Sequence, residues 1–330
     1  MRWRTVGKWI LALGLLAVVF FLGDVRELLH LHVAWIFVFG MFLSTFAFIL
    51  LHTLRWKKIV DAISGKEGEN LFSFYKWVIH SYVLGYIMPI DVSLIGVRTY
   101  YLKQYKHLSL PASLFSVTLD RLLDVLIFFV VLIPSIFYIR RILPSSEAMI
   151  LMGIWVGGFF FVTRWKEAQT FWFLTHLYRK ILDLPIIRSR MRGKRNEVRW
   201  EYPFKRGGFS ALLAWSAAKY LLLVLRFYFT GLALNVNLSF LQSLFVIPVI
   251  QFSALISITP GSLGVLELGS WGALFLIAVP KDQILRFVLG QRVLLTFVLL
   301  LLILFNHLFF LLKNRWQGMD QKDIFSHFKK

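Results

Sequence analysis

Apolar runs of about 20 residues constrain this chain more than any other feature. Residues 33–54, 112–138, a run ending near Thr163, 210–234 and 284–312 are each long enough to cross a hydrocarbon core of about 30 Å as a helix. No water reaches that core, so every backbone donor and acceptor must be paired inside the segment, which a helix does by itself. The fold class is therefore all-α and polytopic. Residues 8–22 add a shorter first span. Arg2, Arg4 and Lys8 precede it as they would in a signal peptide, but no small-x-small site follows Phe21-Leu22-Gly23-Asp24, so the segment reads as uncleaved.

One stretch breaks the pattern. Thr259-Pro260-Gly261-Ser262-Leu263-Gly264-Val265-Leu266-Glu267 lies between apolar segments 240–258 and 268–279 and ends in a carboxylate. Pro260 lacks a backbone donor, and Gly261 and Gly264 free the dihedrals, so a continuous helix is not expected. Irregular backbone at membrane depth survives only where protein buries it or it lines a wet cavity. The stretch reads as the tip of a re-entrant hairpin. A second such tip, with Pro89 and Gly96 as its tip residues, is expected at Met88-Pro89-Ile90-Asp91, followed by Ser93, Gly96 and Arg98, because the apolar run before it, 77–89, is about 20 Å long as a helix.

Charge sets the topology. The net charge is +20 with 37 Lys and Arg. Placing the amino terminus, 55–76, 98–109, 164–209 and the tail on one side collects 28 of them, against 5 on the other side and 4 within spans. By the positive-inside rule both termini are cytoplasmic. The order of elements is then repeated with opposite sense, in halves at about 1–140 and 147–312: two spans, a hairpin, a span. In both halves a tip proline precedes an arginine in the next span by 32 positions, Pro89 to Arg121 and Pro260 to Arg292. Interrupted segments at corresponding places in two inverted halves point to a transporter binding site. The whole chain, 1–330, reads as one integral membrane domain of about six transmembrane helices plus two re-entrant hairpins. The expected location is a bacterial or archaeal cytoplasmic membrane.

Seven ionisable residues fall within the membrane on this reading: Asp120, Arg121, Asp124, Lys219, Arg226, Glu267 and Arg292. At roughly 3 kcal/mol each against lipid, they would cost about 20 kcal/mol, more than the stability of a typical fold. They must pair or face water. Asp120 and Asp124 share a helix face, as do Lys219 and Arg226. A cavity with Asp120, Asp124 and Glu267 against Arg121, Lys219, Arg226 and Arg292, with Asp91 and Arg98 nearer its mouth, is slightly basic. It suits a phosphate-bearing lipid head group, which arginine grips bidentately. The opposing reading is a set of fixed ion pairs that lock helices together.

Residues 164–209 form the one sizeable polar region, a basic loop placed in the cytoplasm. Its segment 171–182 is aromatic and apolar, and a basic cluster, Arg188 to Arg195, follows. That order suits an interfacial segment on anionic lipid, or a plain solvated loop; membrane lipids, not nucleic acid, are the expected partners. Enzyme signatures are missing. There is no H-E-x-x-H, G-x-S-x-G or Walker lysine loop. Lys219 with Arg226 has the spacing that opens a lipid-phosphatase signature, but Phe227 stands where that needs proline. Asp120-x-x-x-Asp124 has metal-diphosphate spacing, but Arg121 sits between and no second aspartate cluster exists. His52, His80 and His307 are scattered and read as satisfied side chains. The absence of cysteine excludes disulfides, a thiol nucleophile and cysteine-ligated metal. No cofactor and no metal site are expected.

The second tip with Arg292 resembles the second signature of the lysylphosphatidylglycerol synthase/flippase transmembrane family. Pro89, Arg98-Thr99-Tyr100-Tyr101-Leu102 and Asp120-Arg121-Leu122-Leu123-Asp124 resemble its first, over nearly the whole chain. The first departs from the family's Pro-Gly-Arg-x-Gly-Glu, since Pro89 is followed by Ile90-Asp91-Val92-Ser93-Leu94-Ile95-Gly96 and the tip glutamate is missing. The resemblance implies a membrane domain that moves polar lipids between leaflets, without the soluble aminoacyl-transferase domain of bifunctional members. The combined reading is a flippase-like transporter of a phosphate-bearing or lipid-linked substrate, working by alternating access. Arg98, Arg121, Arg226 and Arg292 would hold phosphate, with Asp120, Asp124 and Glu267 balancing charge or carrying protons. The alternatives are an intramembrane enzyme acting on a lipid phosphate, and a non-transporting accessory subunit of an envelope glycolipid pathway.

Overall fold

Ten α-helices and one short 3-10 turn, with no strands, make up the described residues of the computed structural model, which are 33–65, 70–182, 202–255 and 259–316, with 13–15 and 17. The expected first span, 8–22, the basic cluster Arg188 to Arg195 and the tail 317–330 lie mostly or wholly outside them. Five helices are long and apolar enough to cross a membrane. The protein is an all-α polytopic integral membrane protein.

The elements are α1 (Trp35–Ser64), α2 (Leu71–Leu84), α3 (Ile90–Tyr105), α4 (Leu110–Ile139), α5 (Ser145–Trp165), α6 (Glu167–Leu182), α7 (Gly208–Ala233), α8 (Phe240–Leu255), the 3-10 turn Pro260–Ser262, α9 (Val265–Leu276) and α10 (Lys281–Trp316). Local chemistry sets several boundaries. Gly65 ends α1 with φ 66°, its N–H donating to the Asp61 carbonyl. The Asn70 side chain accepts from the Phe72 N–H to open α2, and Ser109 with Pro111 opens α4.

The expected span 33–54 runs on to Ser64. Arg55, counted above as a loop cation, is fully buried inside α1, and Arg98 is likewise fully buried inside α3. Without these two the charge asymmetry is 26 to 5. The apolar window stops at Leu54, but Trp56, Ile59 and Val60 keep the helical stripe going and are all buried. Gly96 is also corrected: it sits in the second turn of α3, not at a tip. The first bend is made by Gly85 to Met88, with Pro89 capping α3.

Packing follows an exchange of halves. The contacts α1–α2, α2–α3, α3–α4, α1–α4, α4–α7 and α4–α8 have counterparts in α7–α8, α8–α9, α9–α10, α7–α10, α10–α1 and α10–α2. The central pair, α1 and α7, maps onto itself and runs antiparallel. The Ala34 N–H donates to the Ala233 carbonyl at 3.0 Å at one end, Thr230 meets Met41, and Arg55 donates to Ser216 Oγ at 2.6 Å towards the other. Corresponding elements therefore point in opposite directions. The arms α2, α3, α8 and α9 span only about 18–24 Å as helices. Their bends meet: the Gly261 N–H donates to the Met88 carbonyl at 3.2 Å.

The main core fills the space between α1, α2, α7, α8 and α10. Within it Trp56, Phe74, Trp77 and Tyr101 form an aromatic cluster that clamps the arms of α2–α3 together and against α1. A second cluster joins Phe171, Leu174 and Tyr178 of α6 to Phe115, Phe204 and Phe209. Segment 171–182 thus buries one face on protein while Trp172, Phe173 and Leu177 stay exposed. Elsewhere the exposed apolar side chains, such as Ile150, Ile154 and Phe161 on α5 and Val293, Leu300 and Phe305 on α10, form the lipid-facing surface of a membrane protein.

Candidate functional site

A cavity of about 170 Å³ opens where the bends meet, walled by α1 to α4 and α7 to α10. That volume suits a head group and not acyl chains. Its charged lining is Asp91, Asp124 and Glu267 with Arg121, Lys219, Arg226 and Arg292.

Three carboxylates are matched to cations. Asp91, in the first turn of α3, pairs with Arg121 of α4. Glu267, in the first turn of α9, pairs with Arg292 of α10 and also accepts the Gly264 N–H at 2.7 Å. Arg292 donates in addition to the Gly261 carbonyl at 2.6 Å, fixing the second bend. The equal spacing of tip proline and arginine thus marks one construction used twice: an arginine of the long helix holds the carboxylate of the preceding hairpin.

Asp124 accepts from Arg55 at 2.5 Å and from Lys219 at 2.8 and 3.0 Å. Behind it, away from the cavity, lies a closed network. Asp120 accepts from Arg55 at 2.8 Å and from Arg98 at 2.7 Å, and contacts His52 Nε2 at 2.8 Å. His52 Nδ1 meets the hydroxyl of Tyr82, a cavity residue, at 2.9 Å. Asp120 and Arg98 are both fully buried and do not line the cavity, so the expectation that Arg98 stands at its mouth is corrected. The reason is that Asp120 faces α1 and α3, which supply three partners around one carboxylate.

Arg226 differs from the rest. It lines the cavity from α7 and, among the described residues, makes no ion pair; its guanidinium lies over the Phe48 ring at 5.5 Å. Lys219 approaches the same ring at 5.2 Å, which places the two residues on one face as their spacing predicts. Among the lining residues four cations face three carboxylates, and Arg226 is the cation that pairs with none of them.

At the tip, Gly261 has φ 59°, and a Cβ there would stand 2.9 Å from both the Tyr86 carbonyl oxygen and the Arg292 guanidinium. Only glycine fits that approach. Gly264, at φ 79°, turns the chain into α9, and Pro260 opens the 3-10 turn.

Sequence reasoning missed Arg55, Tyr82 and Ser216; His52 is the satisfied side chain it was read as, with Asp120 and Tyr82 as its partners. The signal lay in α1: His52 and Arg55 are three apart, on one face of a helix whose apolar stripe continues past them. Among the described residues no three of His, Cys, Asp and Glu gather as a metal cage needs. Asp120 and Asp124, whose spacing resembles a metal-diphosphate motif, are occupied by basic side chains instead.

Outside the membrane helices, Glu167 at the start of α6 organises the start of α7. It accepts from the Gly207 N–H at 2.9 Å, Ser210 Oγ at 2.5 Å, Tyr202 at 3.1 Å and Arg164 at 3.0 Å. Burial pushes its carboxyl up, but these donors outweigh burial and hold it below the ordinary carboxylate range.

No curated protein and no solved structure matches the chain. Residues 8–303 match the family described as the lysylphosphatidylglycerol synthase TM region, with no other domain indicated. A match over that share of the chain places it: the protein belongs to the lysylphosphatidylglycerol synthase transmembrane-region family.

Proposed function

We propose that the protein is a flippase-like transporter that moves a phosphate-bearing polar lipid between leaflets by alternating access. The observation that carries this is the unmatched Arg226 in a head-group-sized cavity at the junction of two oppositely directed hairpins. On this reading α2–α3 and α8–α9 are re-entrant hairpins inserted from opposite sides, the chain is one integral membrane domain, and both termini lie in the cytoplasm. Membership of a lipid-related membrane family supports it.

The mechanism follows from which contacts are fixed. The Asp120 network and its link to Asp124 join α1, α3, α4 and α7 through buried charge, so that unit moves as one body. The joints at the bends are lighter: one backbone hydrogen bond and the pairs Asp91–Arg121 and Glu267–Arg292, each with its arginine partly exposed at the cavity wall. A head-group phosphate gripped by Arg226 competes for these arginines. Because Asp91–Arg121 lies within that body, the movable joint is Glu267–Arg292 with the backbone bond at the tips; loosening and remaking it lets α8–α9 shift against the body and opens the cavity to one side at a time.

The test is reconstitution of the full chain in liposomes containing a fluorescent phosphatidylglycerol, with the outer leaflet bleached to count exchanged lipid. The reading expects protein-dependent exchange with the lipid recovered chemically unchanged. An altered lipid would replace transport by enzymology, and no exchange would overturn it.

A further inference from the structure

The charge balance of the cavity bears on which phosphate-bearing head group it takes. A lipid amine needs an anionic or otherwise free acceptor, and each carboxylate in the wall is engaged: Asp91 by Arg121, Glu267 by Arg292, Asp124 by Arg55 and Lys219. An ammonium entering here meets a net positive wall and must break an existing pair. A single phosphodiester charge meets Arg226, the one cation among the described lining residues without a carboxylate. A second observation concerns the rest of the head group. Ser262, 2% exposed and at the tip itself, lines the cavity, and its buried hydroxyl has no hydrogen-bond partner among the described residues. Gln251 and Gln291 add neutral amides to the wall. Those groups exchange hydrogen bonds with hydroxyls without adding charge, so discrimination against an ammonium rests on the excess positive charge of the wall.

We propose that the site selects a singly anionic phosphodiester lipid with a neutral, hydroxyl-bearing head group, anchored on Arg226 and contacted by Ser262, and that it disfavours amine-bearing lipids, aminoacylated ones included. This rests on the proposal that the cavity receives a lipid head group. It departs from what the family's description suggests, because an aminoacylated phosphatidylglycerol carries added positive charge into a wall that already has an excess.

The test is binding of short-chain lipids to the detergent-purified full chain, followed by tryptophan fluorescence. The probes are phosphatidylglycerol, phosphatidylethanolamine and lysyl-phosphatidylglycerol, added to wild type, Arg226→Gln, Arg226→Lys and Ser262→Ala. Phosphatidylglycerol should bind wild type most tightly. Arg226→Gln should weaken it by about tenfold to a hundredfold, as loss of a charge-assisted hydrogen bond does, and should erase the preference. Arg226→Lys should recover part of both. If Arg226→Gln loses its helical circular dichroism, Ser262→Ala carries the test: it should lower phosphatidylglycerol affinity while leaving the two amine-bearing lipids unchanged. Equal or tighter binding of either amine-bearing lipid to wild type would overturn the proposal, as would a preference that survives in a folded Arg226→Gln protein. Selective binding without leaflet exchange would uphold this inference and overturn the transport reading. Exchange that favours amine-bearing lipids would do the reverse.

Discussion

Arg55 and Arg226 lie on two antiparallel helices of the same pair and have opposite surroundings. Arg55 is fully enclosed and donates to Asp120, Asp124 and Ser216; Arg226 lines the cavity with its guanidinium over the Phe48 ring and has no ion pair among the described residues. Removing one partner from an enclosed network strands the other charges where water cannot reach them. Asp124→Asn should therefore cost about 3–5 kcal/mol of stability, whereas Arg226→Gln should stay within about 1 kcal/mol. Thermal unfolding of both variants in one detergent checks this, and equal melting temperatures would contradict it. At this scale the sequence showed which charges needed partners but not which partners they had. Asp120 and Asp124 were legible as one face, and Glu267 as facing a cavity shared with Arg292 and Arg226, of which the structure pairs it with Arg292. Arg55 was hidden because an apolar window ends where the polar residues begin, while a helix ends only where its hydrogen bonds do.

The bends are where element-level reasoning succeeded best. Pro260-Gly261 and Pro89 mark the interruptions, but proline alone does not decide them, since Pro134 and Pro248 lie inside α4 and α8; the added glycines or the shortness of the preceding run do. The exact turn at 85–88 was less legible, because Gly96 looked equally suitable and is tolerated inside α3. Gly261→Ala places a methyl against the Tyr86 carbonyl and strains a positive φ. It should destabilise by about 1–3 kcal/mol and slow leaflet exchange, since the two bends meet at that residue. A Gly261→Ala protein with wild-type melting and exchange would show that the tips need not touch. The joint between α6 and α7 gives a pH prediction. Glu167 has a depressed folded-state pKa, so its stabilisation is complete above the unfolded carboxylate value of about 4.3 and is lost as pH falls through the lower folded value. Wild type should exceed Glu167→Gln by about 1–2 kcal/mol at pH 7, and the gap should close below about pH 4. A gap that is flat with pH would mean that the charge on Glu167 is not what ties the helices.

For the whole molecule, the order of long, short and basic segments repeats along the sequence, and the packing pattern repeats with it. What that order could not show is that the two hairpins touch, or that the long helix of each half packs on the hairpin of the other. Those contacts depend on side chains far apart in sequence. The proposed orientation, with both termini in the cytoplasm, rests on the charge asymmetry, and single cysteines in this cysteine-free chain test it. Cysteine at Ser145 or Asn237 should label from outside and at Ser189 or Ser326 only from inside, and outside labelling of Ser189 would reverse the assignment.

The central claim is that the charged cavity cycles a lipid head group and is not merely a set of ion pairs holding helices together. Glu267 separates the two directly. Its partner Arg292 is partly exposed at the cavity wall, so Glu267→Gln leaves that arginine access to water, and the amide oxygen can still accept the Gly264 N–H. The decisive measurement is leaflet exchange by Glu267→Gln in liposomes, with melting temperature and lipid binding taken on the same preparation. The account predicts a folded protein that still binds phosphatidylglycerol and has lost exchange. Wild-type exchange by a stable Glu267→Gln protein would contradict it.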